Sequence, residues 1–479
     1  MDIVVAPVDD APMHASTPDR DDHDARQTVA VVGGGCAGVL AAIWLLRGEA
    51  SIEVYLIDPS GQFGSGVAYA TSDPFHLLNV PAGRLSTDPD QPDAFTAWAR
   101  RTHPDLDVQS TDFLPRGTYG GYLADSLHAA ERAGASRGSV LRRVTATVTD
   151  VAPGDHAGER VVLDDGRRID VDQVVLALGP PATTRLPALQ LDDPAVHHSP
   201  WEPGALDPLP NPSAHVVLIG SGLTAVDAAM SLCALDDTVH VTMVSRSAVL
   251  PSAHDPSQVA AGPADSPAWP DGPLTVDALV AGVHEHVRAT EASGLDWRAA
   301  IDSIRPQVPE LWQRLGEDGQ RAFLRHHARE WEVRRHRMAP NVAARIDELL
   351  ASGRLRIAVG SPTSVHRQGD DLLVSLGADA TSLRAARVIA CTGPSSDVAT
   401  DGPPLARHLL ATGRLAPDAL GLGVRADHDG RVIDLQGATS TTTWLLGALR
   451  RGELYETTAV AEIRAQAVRI AARATVPRS

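Results

Sequence analysis

The chain has 479 residues, a formal net charge of −18 at pH 7 and 43% hydrophobic residues. That acidic balance argues against nucleic acid and against an anionic membrane surface as partners, because binding phosphates needs a basic surface. No stretch reaches the roughly 20 consecutive apolar residues that span a bilayer, and the length predicts about three domains.

Residues 1–27 lack the basic start and continuous apolar core of a signal peptide. They are polar, acidic and proline-containing, so a disordered leader and a cytoplasmic location are expected. The three cysteines, Cys36, Cys233 and Cys391, stand alone in apolar or glycine-rich contexts. With no CxxC pair, the sequence argues against both a zinc ribbon and a redox-active disulfide.

Thr28–Val32 reads as a strand, followed by a glycine turn and a helix to about Arg47. "EVYLI" alternates as a second strand and ends at Asp58, which closes a β-α-β unit. A long patterned loop follows, of the kind that usually carries function. Tyr119–Ala133 predicts a helix. "VVLDDGRRIDVDQVVLALG" places an Asp-Gly turn between two β-rich runs, a hairpin signal, and ends in an apolar strand and Gly179. Proline-rich stretches over residues 180–213 mark a domain boundary.

A second β-α-β unit then begins, with strand His215–Ile219, a glycine turn, a helix to about Leu235 and strand His240–Val244. Residues 275–353 predict a helical insertion. Strands return from Arg356 and end in "ARVIACTG" at Gly393. The two halves share one order of elements, an internal repeat of architecture without close sequence likeness. The predicted fold is therefore α/β, with two Rossmann-like dinucleotide-binding domains and a helical insertion in the second. Residues 28–180 open the first domain, 214–393 form the second with its insertion at about 275–353, and 394–479 return to complete the first.

In the first turn Gly33, Gly35 and Gly38 form GxGxxG. The first glycine permits the tight turn, the second lets backbone approach a pyrophosphate, and the third lets helix pack on strand. Phosphates would sit on the free N–H groups of the helix N-terminus. Asp58, at the end of the second strand, is placed to grip a ribose. In the second turn Gly220, Gly222 and Ala225 take the same places. Here the second strand ends in Ser245, Arg246 and Ser247, with no acid. A guanidinium cannot accept ribose hydrogen bonds, but it can clamp a 2′-phosphate. The second site is expected to prefer NADPH to NADH; the plainer reading of Arg246 is a solvated surface arginine. Two ribose chemistries imply two cofactors. Gly179 and Gly393, each closing an apolar strand, are further candidate cofactor contacts.

With "GGGCAG", the loop "FGSGVAYATSDPFHLLNVPAGRLSTDPDQPDAF" and the C-terminal "GALRRGELYETTAVAEIR", the chain resembles bacterial FAD/NAD(P)-binding oxidoreductases of the two-dinucleotide-binding-domain superfamily. The resemblance covers nearly all of the chain after residue 27. It implies FAD in the first domain and NADPH in the second. It also implies that the loop, with Gly64, Tyr69, Asn79 and Val80, lines the isoalloxazine. More distant members are amine N-hydroxylating and Baeyer–Villiger flavin monooxygenases. Ornithine-type N-hydroxylases carry a lysine in this loop, and here none is present. Asn79 and Ser86 are the polar groups available, and so the candidate catalytic residues.

A helix starting at "GELYETTAV" would aim its N–H groups at the N1–C2=O edge of reduced flavin. Glu456, Thr457 and Thr458 are expected near that edge, with Gly437 giving close approach. In the insertion, "HHAREWEVRRHRMAP" concentrates positive charge. Arg334 and Arg337, three apart, would share a helix face, and with His336 they are candidates for an anionic substrate or the NADPH phosphates. The alternative is a salt-bridged helix face. The histidines form no HxxxH or HExxH pattern, so no metal is expected. Trp297, Trp312 and Trp331 read as core.

The function these readings favour is an NADPH-dependent, FAD-containing oxidoreductase. A monooxygenase acting with molecular oxygen on a small molecule, through a flavin C4a-hydroperoxide, comes first, with amine N-hydroxylation as one form. The alternatives are a reductase or dehydrogenase without oxygen insertion, and a non-catalytic flavin-binding redox sensor.

Overall fold

The computed structural model describes residues 26–154, 157–209, 214–377 and 381–475. The expected leader lies outside the described residues except for Arg26 and Gln27. Gln27 does not belong to a leader, because it already pairs with Ile52 in the first sheet.

The first unit opens with β1 (Gln27–Val32), α1 (Cys36–Arg47) and β2 (Ile52–Ile57). The long loop contains the short α2 (Gly66–Tyr69) and then α3 (Ala94–Thr102). α4 (Arg116–Ala135) leads into β3 (Val140–Val144), parallel to β2. An antiparallel meander of β4 (Val148–Pro153), β5 (Glu159–Leu163) and β6 (Arg168–Val171) comes next. β7 (Gln173–Leu176) then lies parallel to β1 on the side away from β2.

After β8 (Val196–His197) the scheme repeats. β9 (His215–Ile219), α5 (Leu223–Leu235) and β10 (His240–Ser245) form the second β-α-β unit. The insertion consists of α6 (Pro256–Ala261), α7 (Val276–Ala292), α8 (Trp297–Ile304), α9 (Val308–Arg314), α10 (Gly316–His326), α11 (Ala328–Arg335) and α12 (Pro340–Ala351). β11 (Leu355–Val359) lies beside β10. A second meander, β12 (Pro362–Gln368), β13 (Asp371–Leu376) and β14 (Thr381–Ala385), precedes β15 (Arg387–Ala390), which is parallel to β9.

The chain then returns through α13 (Val398–Asp401), α14 (Pro404–Ala411), β16 (Arg431–Ile433) and β17 (Thr439–Leu445). α15 (Arg451–Leu454) and α16 (Val460–Ala474) end it. β17 pairs with β7, Leu445 opposite Leu176. The first sheet therefore runs β16-β17-β7-β1-β2-β3 and the second β11-β10-β9-β15-β8.

The predicted repeat is visible atom by atom. Gly33 has φ +109, and a Cβ there would lie 2.2 Å from the Ala177 carbonyl oxygen after β7. Gly220 has φ +131, and its Cβ would lie 2.3 Å from the Cys391 carbonyl oxygen after β15. The same tight crossing of turn and neighbouring strand end is built twice, and only glycine fits it.

β1 is apolar on both faces, as expected of a parallel strand covered on both sides. α1 explains one cover: Leu40, Ile43 and Leu46 are fully buried in one cluster with Leu123 of α4 and Ile470 of α16. Burying each such side chain contributes about 1.5–3 kcal/mol. This packing brings the last helix of the chain against the first, and so brings the N-terminus of α16 beside the first glycine turn.

Candidate functional site

The two glycine turns divide their glycines by purpose. Gly38 is demanded by the protein itself, since a Cβ there would fall 1.7 Å from the Gly33 carbonyl oxygen. Gly35, the helix N-cap, is different. Its Cβ would meet nothing closer than the Gly66 Cα at 3.6 Å, an ordinary contact. No side chain caps α1, and the neighbour at its start is the backbone of Gly66. In the second turn a Cβ on Gly222 would meet nothing within 4 Å, and α5 also lacks a side-chain cap. Ala225 is completely buried where the third glycine would be. The fold thus keeps bare backbone at two helix N-termini where packing does not require it. Such cradles fit a pyrophosphate.

At the first cradle, Asp58 accepts a 2.7 Å hydrogen bond from the Gly34 N–H. Its other oxygen accepts from the Ser60 N–H and hydroxyl. The carboxylate is therefore fixed at the strand end, where an acid meets a ribose. The Gly64 N–H donates to the Gly34 carbonyl at 2.8 Å, which folds the long loop over the turn. Tyr69 packs edge-on to Tyr119 at 4.9 Å, and Val80 lies against the same core. Gly179, with φ +78, has open space where a Cβ would stand, as does Gly393 with φ +77 at the matching place in the second unit.

At the second cradle Arg246 is exposed at the end of β10. A second cation joins it. Arg329, from α11 of the insertion, donates to the Val249 carbonyl at 2.6 Å and the Ser221 hydroxyl at 3.2 Å. Ser221 lies inside the glycine turn and hydrogen-bonds Ser245 at 2.8 Å. Desolvation and the nearby Arg246 both lower the Arg329 pKa. The two guanidiniums thus form one positive field beside the turn. The chain contains no lysine, so every cation available to a nucleotide is a fork-shaped arginine.

The flavin-edge residues need correction. The helix begins only at the last residue of "GELYETTAV". α15 is a single short turn, Tyr455 has φ +59, and α16 starts at Val460 with Ala459 as an unassisted N-cap. Glu456 and Thr457 are buried before the helix, and Thr458 is exposed. The Thr457 hydroxyl donates to the Gly447 carbonyl at 3.0 Å, and the Gln466 side chain binds both residues. Gly447, φ +85, approaches Ala37 of the first turn, its would-be Cβ 3.4 Å from the alanine Cβ. Gly447 is therefore the glycine of this segment that approaches the start of α1. Gly437 instead turns the β16–β17 hairpin, its N–H on the Asp434 carbonyl. It precedes β17, at the end of the parallel strands opposite the crevice where dinucleotides bind.

Asn79 is half-buried and Ser86 is buried, and they sit in different settings along the loop. The Asn79 carbonyl accepts from His254 at 3.1 Å, which ties the loop to the second unit. Ser86 is 1% exposed, and its hydroxyl donates to the Asp88 carbonyl while accepting the Asp88 N–H. That hydroxyl is a turn-former, engaged on Asp88 of its own loop. More ties follow along the same loop: His76 to Ser231 at 2.8 Å, Arg116 to Asp227 at 2.7 Å and Arg84 to Asp302 at 3.1 Å. Burial pushes the Asp227 carboxyl up to about 6 against the pull of Arg116.

Arg334 and Arg337 do not share a face. α11 ends at Arg335, so the helical register stops between them. Arg334 is exposed and paired with Glu330 at 2.7 Å. Arg337 is 1% exposed, bound to Asp302. Desolvation first, then Arg335, Arg305 and Arg451, push the His336 imidazole down to about 3, so it offers no positive charge at neutral pH. The residue that faces the nucleotide turn is Arg329. Of the three tryptophans, Trp312 is 3% exposed, while Trp297 and Trp331 are half-buried. Among the described residues no group of three or more His, Cys, Asp or Glu could hold a metal ion. No described helix is long and apolar enough to cross a membrane.

Residues 30–181 match a family model described as FAD-NAD(P)-binding. No curated protein sequence matches the chain. Among solved structures, the chain is similar to the ornithine N-hydroxylase of Kutzneria sp. 744, described with reduced FAD, NADP+ and L-ornithine. The identity is 17%, the TM-score 0.61, and the match covers 93% of this chain and 98% of that one. L-lysine 6-monooxygenase from Pseudomonas syringae gives 17% identity, a TM-score of 0.61 and coverage of 94% and 99%. Bacillithiol disulfide reductase from Staphylococcus aureus gives 12%, 0.54, and coverage of 93% and 98%. At these identities the likeness is one of fold. The chain has the two-domain fold of FAD/NAD(P)-binding flavoproteins, and residues 30–181 form an FAD/NAD(P)-binding domain.

Proposed function

We propose that the protein is an NADPH-dependent FAD oxidoreductase, and that its reaction is the oxygenation of a small molecule, with amines the first class to test. The observation that carries the reading is the contrast between the two cradles. The first ends in Asp58, an acceptor for ribose hydroxyls. The second ends in Arg246 with Arg329 beside it, a clamp for a 2′-phosphate. FAD would lie on Gly35 and the α1 N-terminus, with Asp58 on its ribose. The bare N-terminus of α16 and Gly447 would face its pyrimidine edge, where N–H groups stabilise negative charge. NADPH would lie on Gly222 and the α5 N-terminus. Bound FAD supplies two-electron transfer between NADPH and an acceptor.

The cysteines, the fold and the long loop narrow the acceptor. Desolvation pushes the Cys36 thiol up to about 12, and the Cys391 thiol is raised by its burial as well. Both are kept as thiols, and a thiol does not perform exchange. Burial raises the Cys233 thiol too, so the reading favours oxygen or a small molecule as acceptor. Fold likeness to two amine N-hydroxylating enzymes favours oxygen. A second reading, a reductase without oxygen insertion, is favoured by the lysine-free loop.

The test is NADPH oxidation by the purified holoprotein under isotopically labelled dioxygen, with primary amines, amino acids and ketones supplied in turn. Label in an organic product supports the monooxygenase. Amine- or ketone-stimulated NADPH oxidation with no label in any product supports the reductase.

A further inference from the structure

Neither nucleotide cradle uses the interior of the insertion, yet α7 to α11 surround a cavity of ≈ 370 Å³. That volume lies in the range of sites for drug-sized ligands. Its walls include Val283, Ile301, Phe323 and Trp331. Trp312 and Tyr455, 3% and 7% exposed, also line it, and their rings stack at 4.7 Å. Planar aromatic walls receive flat ring systems well.

The charges at the rim decide what kind of ring. Arg334 is the one guanidinium on the lining, and Glu330 holds it at 2.7 Å. Glu291 also borders the cavity and has no ion pair among the described residues. An anion entering here would lose its water, find the one guanidinium already paired and only the imidazoles of His284 and His327 beside it, and meet the unpaired, exposed Glu291 carboxylate at the rim. A cation would gain that carboxylate together with the π faces of the aromatic residues.

We propose that this cavity is a binding site for a hydrophobic, ring-bearing small molecule that is neutral or cationic, and that it rejects anionic analogues of the same ring. The ligand lies between the insertion helices and the segment that carries Glu456 and Thr457. The proposal stands apart from the cofactor reading, because its test needs neither NADPH nor turnover.

The test uses the full-length holoprotein with Nile red, a neutral polarity-sensitive dye. Indole, tryptamine and indole-3-acetate, one ring system with three charges, then compete for the site. The expected result is enhanced dye emission that indole and tryptamine displace, with indole-3-acetate about tenfold weaker than tryptamine. Val283→Trp should fill the cavity and abolish dye binding while the thermal melt stays cooperative. Glu291→Gln leaves the volume intact and should narrow the gap between tryptamine and indole-3-acetate several-fold. No dye response, displacement blind to charge, or a gap unchanged in Glu291→Gln would each overturn the proposal.

Discussion

Arg335 and Glu456 meet at 2.9 Å with side chains only 7% and 8% exposed. The same carboxylate accepts from the Trp331 indole at 2.9 Å. Arg305 binds Glu462 of α16 at 2.5 and 2.6 Å, and Trp312 donates to the Gly452 carbonyl at 2.8 Å. The helical insertion of the second unit is thus bolted to the segment that completes the first. Removing one partner of a buried pair leaves the other charge unpaired, which costs about 3–5 kcal/mol. Glu456→Ala should lower the urea midpoint accordingly, and the paired change Arg335→Met with Glu456→Leu should recover most of it. If the double variant is no more stable than Glu456→Ala, the unpaired charge is not the source of the loss.

Arg246 and Arg329 should separate in their effects. Arg246→Ala is expected to raise the KM for NADPH by about tenfold or more and to leave NADH nearly unchanged. Arg329 is anchored to Ser221 inside the turn, so Arg329→Ala should weaken both nucleotides. Steady-state kinetics with each reductant check this. Equal losses for NADPH and NADH in Arg246→Ala would remove that residue from 2′-phosphate recognition.

The buried histidines should lower stability in mild acid. Desolvation, with Arg337 next, lowers the His254 imidazole to about 4, and desolvation also lowers His76 and His336. Unfolded histidine takes up its proton near pH 6.5. Below that pH the unfolded state binds more protons, so stability declines from pH 6.5 toward about 4 for His254 and about 3 for His336. Asp227 acts in the other direction. Its folded carboxyl is raised to about 6, so between about 4 and 6 falling pH adds stability. Burial lowers His197, His215 and His286 as well, and raises Glu332, Asp418 and Glu453 beside Asp227, so the two sets oppose each other and the His254 share is read from its own variant. At pH 5 the His254 share is about 2 kcal/mol. Melting curves of the native protein and of His254→Gln at pH 5 and pH 7.5 should show a smaller pH difference in the variant. An equal difference would assign the acid sensitivity elsewhere.

Some features were legible in the sequence because they are local. The two glycine turns, the strands that carry Asp58 and Arg246, and the repeated order of elements all follow from backbone constraints that a short stretch displays. The start of α16 was not. Tyr455 adopts φ +59 against Trp312, and Glu456 is held by Arg335 and Trp331, all more than a hundred residues earlier. Periodicity also could not show that α11 stops at Arg335, which places Arg334 in solvent and Arg337 in the interior. The choice of Gly437 over Gly447 missed an available signal. "WLLG" ends an apolar strand in glycine, as "LALG" does at Gly179, and marks the crevice end of β17. Arg329 stood in the basic cluster in plain view, but only the fold shows which of its arginines reaches Ser221.

Glycine substitutions should sort by what each glycine is for. Gly38→Ala forces a methyl into the Gly33 carbonyl and should unfold the first unit. Gly35→Ala and Gly222→Ala meet no such contact and should leave the melting temperature of the cofactor-free protein close to native, since bound cofactor adds its own stabilisation.

The most direct measurement of the two-cradle account is the flavin content and NADPH affinity of those last two variants. The account predicts that folded Gly35→Ala loses FAD, seen as loss of yellow absorbance per chain. It predicts that Gly222→Ala keeps FAD but is no longer reduced by NADPH at concentrations that reduce the native protein. FAD retained in Gly35→Ala, or lost equally from both variants, would contradict the assignment of one cofactor to each turn.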